Sequence, residues 1–230
     1  MSEDVLALFD LDHTLLTLDS DEAWVEFLIE EGVLDRLEYE RANHDLVARY
    51  RKGLATSIEF SYFYLSTLVG RDRAVLDDWH ARYLERKIRP AISAAARALL
   101  DRHRSEGHLM VLTTATGRFI VDPIARDLGL ENLIATEPET RDGRYTGRVV
   151  GTPNMREGKV TRLAAWLGDR GRALEDFRES WFYSDSINDL PLLLRVTHPV
   201  VVNPDPSLAA LAQTKRWPRI EIAHRSEPAA

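Results

Sequence analysis

From Pro90 onward the sequence alternates short apolar runs with segments of helical period, and this alternation constrains the fold more than any other feature. A helix is expected over 90–105, with Arg102, His103 and Arg104 near its negative dipole end and Gly107 just beyond. An apolar strand follows at 108–113 (HLMVLT), then a helix over 118–128 and a strand over 132–136. Residues 136–150 read as a hairpin turning at Asp142-Gly143. Next come a helix over 155–168, with Val160, Leu163, Ala164 and Leu167 on one face, and a strand over 180–184. The pattern ends with a helix over 188–195, a strand over 199–202, a helix over 206–213 opened by Pro206, and a strand over 219–222. Strands joined through helices return by right-handed crossovers, which predicts an α/β fold with a parallel sheet covered on both faces.

The first strand stands apart from this series. Residues 5–9 (VLALF) form an apolar run ending in acids, as a fully buried strand does. Between about Asp19 and Lys87 only helical periodicity follows. Trp24, Phe27 and Leu28 share one face, and Phe60, Phe63, Tyr64, Thr67 and Leu68 another. Thr56 and Glu59 form a capping box, and Val75, Trp79 and Tyr83 mark one more helix. The expected organisation is a core of residues 1–17 and 88–230 interrupted by a helical insert, residues 18–87.

Composition narrows the function classes. The 230 residues include no cysteine, which removes disulfides, thiol nucleophiles and thiolate metal sites and suits a reducing, cytoplasmic setting. The N-terminus is acidic where a secretory signal is basic, and no apolar stretch approaches the ~18 residues that span a bilayer. With 30 Lys and Arg against 37 Asp and Glu, the net charge of −7 opposes nucleic-acid binding. Neither a membrane nor a nucleic acid is an expected partner, and no feature sets an oligomeric state.

Open α/β sheets bind ligands beyond the carboxyl ends of their strands. Two such ends are densely acidic: FDLDHT, with Asp10 and Asp12, and YSDSINDL, with Asp185 and Asp189. Like charges converging there repel one another and usually share a cation. Oxygen ligands without cysteine favour Mg²⁺ over zinc. Asp10 can attack phosphorus and form an aspartyl phosphate, while Asp12 can protonate the leaving alkoxide and later deprotonate water. Thr114, after the strand at 108–113, and Lys159, at the start of the helix after the hairpin, are suitable partners for phosphoryl oxygens. Thr113 is the alternative hydroxyl. Thr114 is preferred because Val111, Leu112 and Thr113 complete the strand.

FDLDHTLL, the VLTTAT threonine, the EGKV lysine and YSDSINDLPLL, in that order, resemble the four motifs of the haloacid dehalogenase-like phosphohydrolases. The insert sits where the subclass similar to phosphoserine phosphatase carries its cap. The resemblance implies a Rossmann-like parallel core with a small helical cap after the first strand. It makes Asp10 the nucleophile and Asp12 the acid/base, with Thr114 and Lys159 at the phosphate. It also implies Mg²⁺ held by Asp10, Asp185 and the Asp12 carbonyl, Asp189 as a supporting acid, and Asn188 near the phosphate. Ser184 departs from the glycine common before the metal aspartate, and His13 from the serine usual in phosphoserine phosphatases. Neither change removes a needed group.

Much of the chain is also similar to bacterial histidinol-phosphatases of this fold, through DSDEAWVEFL, the PIARDLG helix, the ATEPETRDGRYTGR hairpin, EGKVTRLAAWL and the HPVVVNPDPSLAALA tail. The substrate this implies is a small phosphorylated metabolite, L-histidinol phosphate first, with phosphoserine as the alternative. Phosphoserine would need a cation for its carboxylate, from Arg49 or Arg51. Asp19, nine residues after Asp10, stands near the position of the phosphoserine phosphatase glutamate that binds the substrate ammonium. It is equally a good helix N-cap, with Asp21 next in line for the pocket. His13 touches substrate or only shapes its loop. Tyr62, Phe63 and Tyr64 are expected mainly in the insert's core. A phosphotransferase or phosphomutase would use the same Asp10, and a non-catalytic sensor would be expected to lack at least one of Asp10, Asp12, Lys159 and Asp185.

Overall fold

The structure, a computed structural model, describes residues 4–222, apart from the side chains of Arg51 and Ser57. Seven strands form one sheet in the order β4-β3-β2-β1-β5-β6-β7. They are β1 (Val5–Phe9), β2 (Leu109–Gly117), β3 (Asn132–Arg141), β4 (Arg144–Val150), β5 (Glu179–Ser184), β6 (His198–Val202) and β7 (Arg219–Ile220). All neighbours are parallel except β3 and β4, which form the expected hairpin. Asp142 and Gly143 both adopt positive φ there, 52° and 76°, as a two-residue I′ turn requires.

β1 is central and buried at all five residues. Its alternation splits the core: Ala7 and Phe9 face one apolar layer, Leu6 and Leu8 the other. The first layer holds α6 (Ala94–Ser105), α7 (Arg118–Asp127) and the insert. The second holds α8 (Glu157–Gly168), α9 (Leu190–Leu193) and α10 (Pro206–Lys215).

Between β1 and β2 lie α1 (Ser20–Glu30), α2 (Arg36–Arg51), α3 (Ser57–Leu65), α4 (Arg73–Tyr83), a π-turn (Leu84–Ile88) and the one-turn α5 (Arg89–Ala91). Trp24, Phe27 and Leu28 are buried, and the Trp24 indole donates to Thr67 Oγ1 at 3.1 Å. The capping box forms, with the Glu59 carboxylate accepting from the Thr56 amide at 2.6 Å. α4 is rotated slightly from the expected face: Tyr83 is buried and Trp79 packs partly against the core, but Leu76 and His80 are buried with them while Val75 is exposed. Tyr62 is likewise exposed, with Phe63 and Tyr64 half-buried, so this aromatic run lies at the insert's edge. The two chains linking insert and core run side by side, with Leu16 bridged to Ile92 and the Thr17 amide bonded to Ala91 O.

The structure moves several expected boundaries. The helix at 90–105 is interrupted because Ile92 is extended in its bridge to Leu16, and Ser93 caps a new start at Ala94. The helix at 188–195 shrinks to a 3₁₀ turn (Ile187–Asp189) followed by α9. The strand ending at 113 continues to Gly117, so Thr114 lies inside β2 rather than after it. The register with β3 jumps between Thr113 and Gly117, a bulge that bends the strand end. No helix among the described residues is long and apolar enough to cross a membrane.

Behind β1, the His103 ring lies between Tyr183 OH and His108 Nδ1, each 2.8 Å away. Burial, with help from Arg102 and His108, pushes its pKa down to about 4. An unfolded histidine takes a proton near 6.5, so this contribution to stability is complete above that pH and is lost as pH falls towards 4. The wild type should therefore lose roughly 2 kcal/mol more than His103→Gln between pH 7 and pH 4.5. Urea unfolding at both pH values measures it; parallel profiles would remove His103 as the source.

Candidate active site

Asp10 follows β1 directly, and its amide donates to Tyr183 O on β5 at 2.9 Å, so the residue keeps the sheet's register. Lys159, in the first turn of α8, is buried and donates to Asp10 Oδ1 and Asp189 Oδ2, both at 2.7 Å. Gly158 beside it permits this approach, because a Cβ there would stand 2.0 Å from the Pro153 carbonyl. Ser184 Oγ donates to the same Asp189 oxygen at 2.7 Å and accepts from the Ser186 amide. The serine that replaces the common glycine therefore orients Asp189.

The Thr14 hydroxyl lies 3.4 Å from Asp10 Oδ2 and 3.5 Å from Asp185 Oδ1, so one group reaches both carboxylates. Burial pushes Asp10 up to about 7 despite Lys159, with Asp189 and Asp12 adding repulsion. Burial, then Asp10 and Asp189, push Asp185 to about 8. Burial opposes the Lys159 ammonium, yet its two carboxylates outweigh that and its pKa is raised. Three carboxylates around one cation leave uncompensated negative charge, and the deficit falls on the Asp10–Asp185 pair. That pair is an oxygen-donor set suited to a hard divalent cation. Among the described residues no group of three or more His, Cys, Asp and Glu side chains is placed to hold a metal ion.

Asp12 is held separately. Its Oδ1 accepts from the Ser20 amide at 2.8 Å and its Oδ2 from the Thr116 hydroxyl at 2.9 Å. Burial and then Asp19 push its pKa to about 6 against these hydrogen bonds. Asp19 caps α1 by accepting from the Glu22 amide at 2.9 Å. Asp21 is the acid near Asp12 and Thr116, and burial followed by Asp19 and Asp12 raises its pKa well above the usual range. Tyr39 and Tyr64 stand beside these acids; burial first, then Asp21 for Tyr39 and Asp19 for Tyr64, raises both phenols.

The remaining candidates are more peripheral. Thr114 is fully buried, and its hydroxyl accepts from the Thr116 amide at 3.2 Å. Thr113 is engaged elsewhere, by the Asn154 carboxamide at 3.0 Å. Asn188 is exposed, and its Oδ1 accepts from Arg156 Nε at 3.2 Å. Arg156 also reaches Tyr50 OH of α2 at 2.5 Å, spanning core and insert. His13 is exposed with φ 55°, and its carbonyl accepts from Asn203, so its described contacts shape the loop. Arg49 pairs with Glu59 at 2.7 Å; the Arg51 side chain lies outside the described residues.

A family model for haloacid dehalogenase-like hydrolases matches residues 7–194. The chain belongs to that family. It is 42% identical over 214 residues to a histidinol-phosphatase of Neisseria meningitidis serogroup C (strain 8013), spanning 93% of this chain and 96% of the relative. A crystal structure of a protein of unknown function from Bordetella pertussis Tohama I aligns with a TM-score of 0.91 at 48% identity, over 95% of this chain and 99% of the other. A substrate-bound phosphoserine phosphatase shares the fold, with a TM-score of 0.63 at 20% identity over 96% and 93% of the two chains. Family and relative agree on the reaction class, and this haloacid dehalogenase-like hydrolase is a phosphatase.

Sequence reasoning weighed Ser20 with Asp19 and Asp21 as a cap or pocket residue, whereas its amide binds Asp12, and it passed over three groups near the phosphatase's site: Thr116, Asn154 and Arg156. Asn154 is fully buried and ties Thr113 Oγ1, Thr114 O and Ile134 O together, which anchors the loop leading to Lys159. Its Oδ1 has no partner among the described residues. It lies in GTPNMREGKV, where the local pattern carries only the lysine signal. Arg156 has φ 50°, uncommon for a side chain of its size and invisible without coordinates.

Proposed function

We propose that the protein is a Mg²⁺-dependent, cytoplasmic phosphomonoesterase that hydrolyses a small metabolite, L-histidinol phosphate, through an aspartyl phosphate on Asp10. The observation that carries the reading is the buried Asp10–Lys159–Asp189 chain beside Asp185: a carboxylate at a strand end, with one cation and an excess of negative charge. An Asp10 oxygen attacks phosphorus as the ester P–O bond breaks, and Asp12 gives its proton to the departing alkoxide. Asp12 then takes a proton from water as that water attacks phosphorus. The P–O bond to Asp10 breaks, which returns the carboxylate and releases phosphate. Lys159 and Thr114 serve the phosphoryl oxygens, with Asn188 at their edge. Asp10, Asp185 and the Asp12 carbonyl would hold Mg²⁺, whose charge offsets repulsion between carboxylate and phosphate.

Residues 18–87 act as a cap in this reading. Support comes from the Ser20 amide on Asp12 and the Arg156–Tyr50 hydrogen bond. Asp21, Asp19, Tyr39 and Tyr64 offer acids and phenols to the ammonium and imidazole of histidinol phosphate. The Neisseria relative named for that activity supports the same choice. A second reading, phosphoserine, is favoured by Arg156. Its Nε and Nη2 donate to neutral partners, Asn188 and Tyr50, so among the described residues no carboxylate offsets its charge, which a substrate carboxylate would do.

Mg²⁺-dependent phosphate release from L-histidinol phosphate, with L-phosphoserine in parallel, separates the two. The expected kcat/KM is at or above ~10⁴ M⁻¹s⁻¹ for histidinol phosphate and far lower for phosphoserine. The reverse order would assign the second reading. Poor turnover of both would overturn the choice of substrate and leave the reaction class in place.

A further inference from the structure

We propose that Thr116 is a positioning residue for Asp12, fixing the plane of the carboxyl group that exchanges protons with the leaving group. The proposal rests on the acid/base reading of Asp12 given above. Thr116 is buried at the end of β2, at 3% exposure, and its hydroxyl meets Asp12 Oδ2 at 2.9 Å. The Ser20 amide holds the other oxygen at 2.8 Å. Two donors on two oxygens define an orientation about a side-chain torsion that is otherwise broad. With Ser20 alone, the carboxyl group would pivot about a single hydrogen bond.

The β2 bulge is what aims this hydroxyl. The register with β3 jumps between Thr113 and Gly117, and the displaced turn is fastened at both sides. The Thr116 amide donates to Thr114 Oγ1 at 3.2 Å, and Thr136 Oγ1 donates to Ala115 O at 2.6 Å. Bulges re-aim side chains next to reactive sites, and this one brings β2 to the start of the insert. Ser20 Oγ lies 3.3 Å from Thr116 Oγ1 and completes the contact. A hydroxyl also donates and accepts, so Thr116 can serve Asp12 with or without its proton; the isosteric valine can do neither.

The leaving group supplies the test. A nitrophenolate departs without a proton, whereas an alkoxide needs one from Asp12. The parameter kcat/KM covers steps up to that departure and excludes the later attack of water. Thr116→Val should lower kcat/KM for L-histidinol phosphate and L-phosphoserine about 30-fold, and for p-nitrophenyl phosphate less than about three-fold, a part of what general acid catalysis contributes. Thr116→Ser, which keeps the hydroxyl, should stay within about three-fold of wild type on every substrate. Thr116→Ala offers the same comparison should valine prevent folding. Equal losses on alkyl and nitrophenyl esters would overturn the proposal, since a merely structural threonine affects both alike. A wild type inactive on all three esters would instead remove the phosphomonoesterase reading on which Asp12's role depends.

Discussion

Asp10→Asn is expected to abolish turnover while the protein folds as before. The carboxamide matches the carboxylate in shape but is far too weak a nucleophile to form an aspartyl phosphate, so kcat should fall by about 10⁴-fold or more. Folding should not suffer. Lys159 keeps its 2.7 Å bond to Asp189, and the change removes a charge that burial and its neighbours already push towards neutrality. With less repulsion on Asp185 and Asp189, Tm should stay level or rise slightly, and Mg²⁺ should bind more weakly for want of one carboxylate. Steady-state phosphate release beside a thermal melt makes the measurement. Turnover above about 1% of wild type would remove Asp10 from the nucleophile role.

Lys159→Met should be costly in both respects. It leaves Asp10 and Asp189 buried without the cation they share, and breaking a buried pair from one side costs roughly 3–5 kcal/mol. For a chain of this length that corresponds to a Tm about 10 °C lower. Adding Asp189→Asn should restore about half of the loss, because one stranded carboxylate is then gone, yet activity should remain absent without the ammonium at the phosphate. Thermal melts of the single and double variants, with phosphate release, give the answer. Additive destabilisation would mean that Lys159 and Asp189 do not share their energy.

The acids and the lysine could be read along the chain because each sits where an apolar run stops or a helix begins, and the order of elements brings such points to one sheet edge. Asp10, Asp185, Asp189 and Lys159 meet there as their strands and helix dictate. The polar groups that hold them were less legible. Thr116 is recognisable only once β2 continues past Thr113 and bulges, which the alternation of VLT followed by TATG does not announce. Asp19 and Asp21 look alike in DSDEAW, and only the helix start at Ser20 separates the cap from the acid near Asp12. The helix at 90–105 broke because Ile92 pairs with Leu16, a contact 76 residues away that no local propensity contains. Ser184 read as a departure until its bond to Asp189 gave it an orienting contact.

The Ser20 amide that binds Asp12 is also the first peptide of the insert's first helix. Asp12 is thus assembled from both parts of the molecule, and the helices between β1 and β2 are not an exchangeable cassette. A chimaera carrying a relative's insert would inherit that relative's specificity only by presenting a backbone N–H at the same point. An insert starting one residue out of phase would swing this donor by about 100° around the helix axis and leave Asp12 tethered by Thr116 alone.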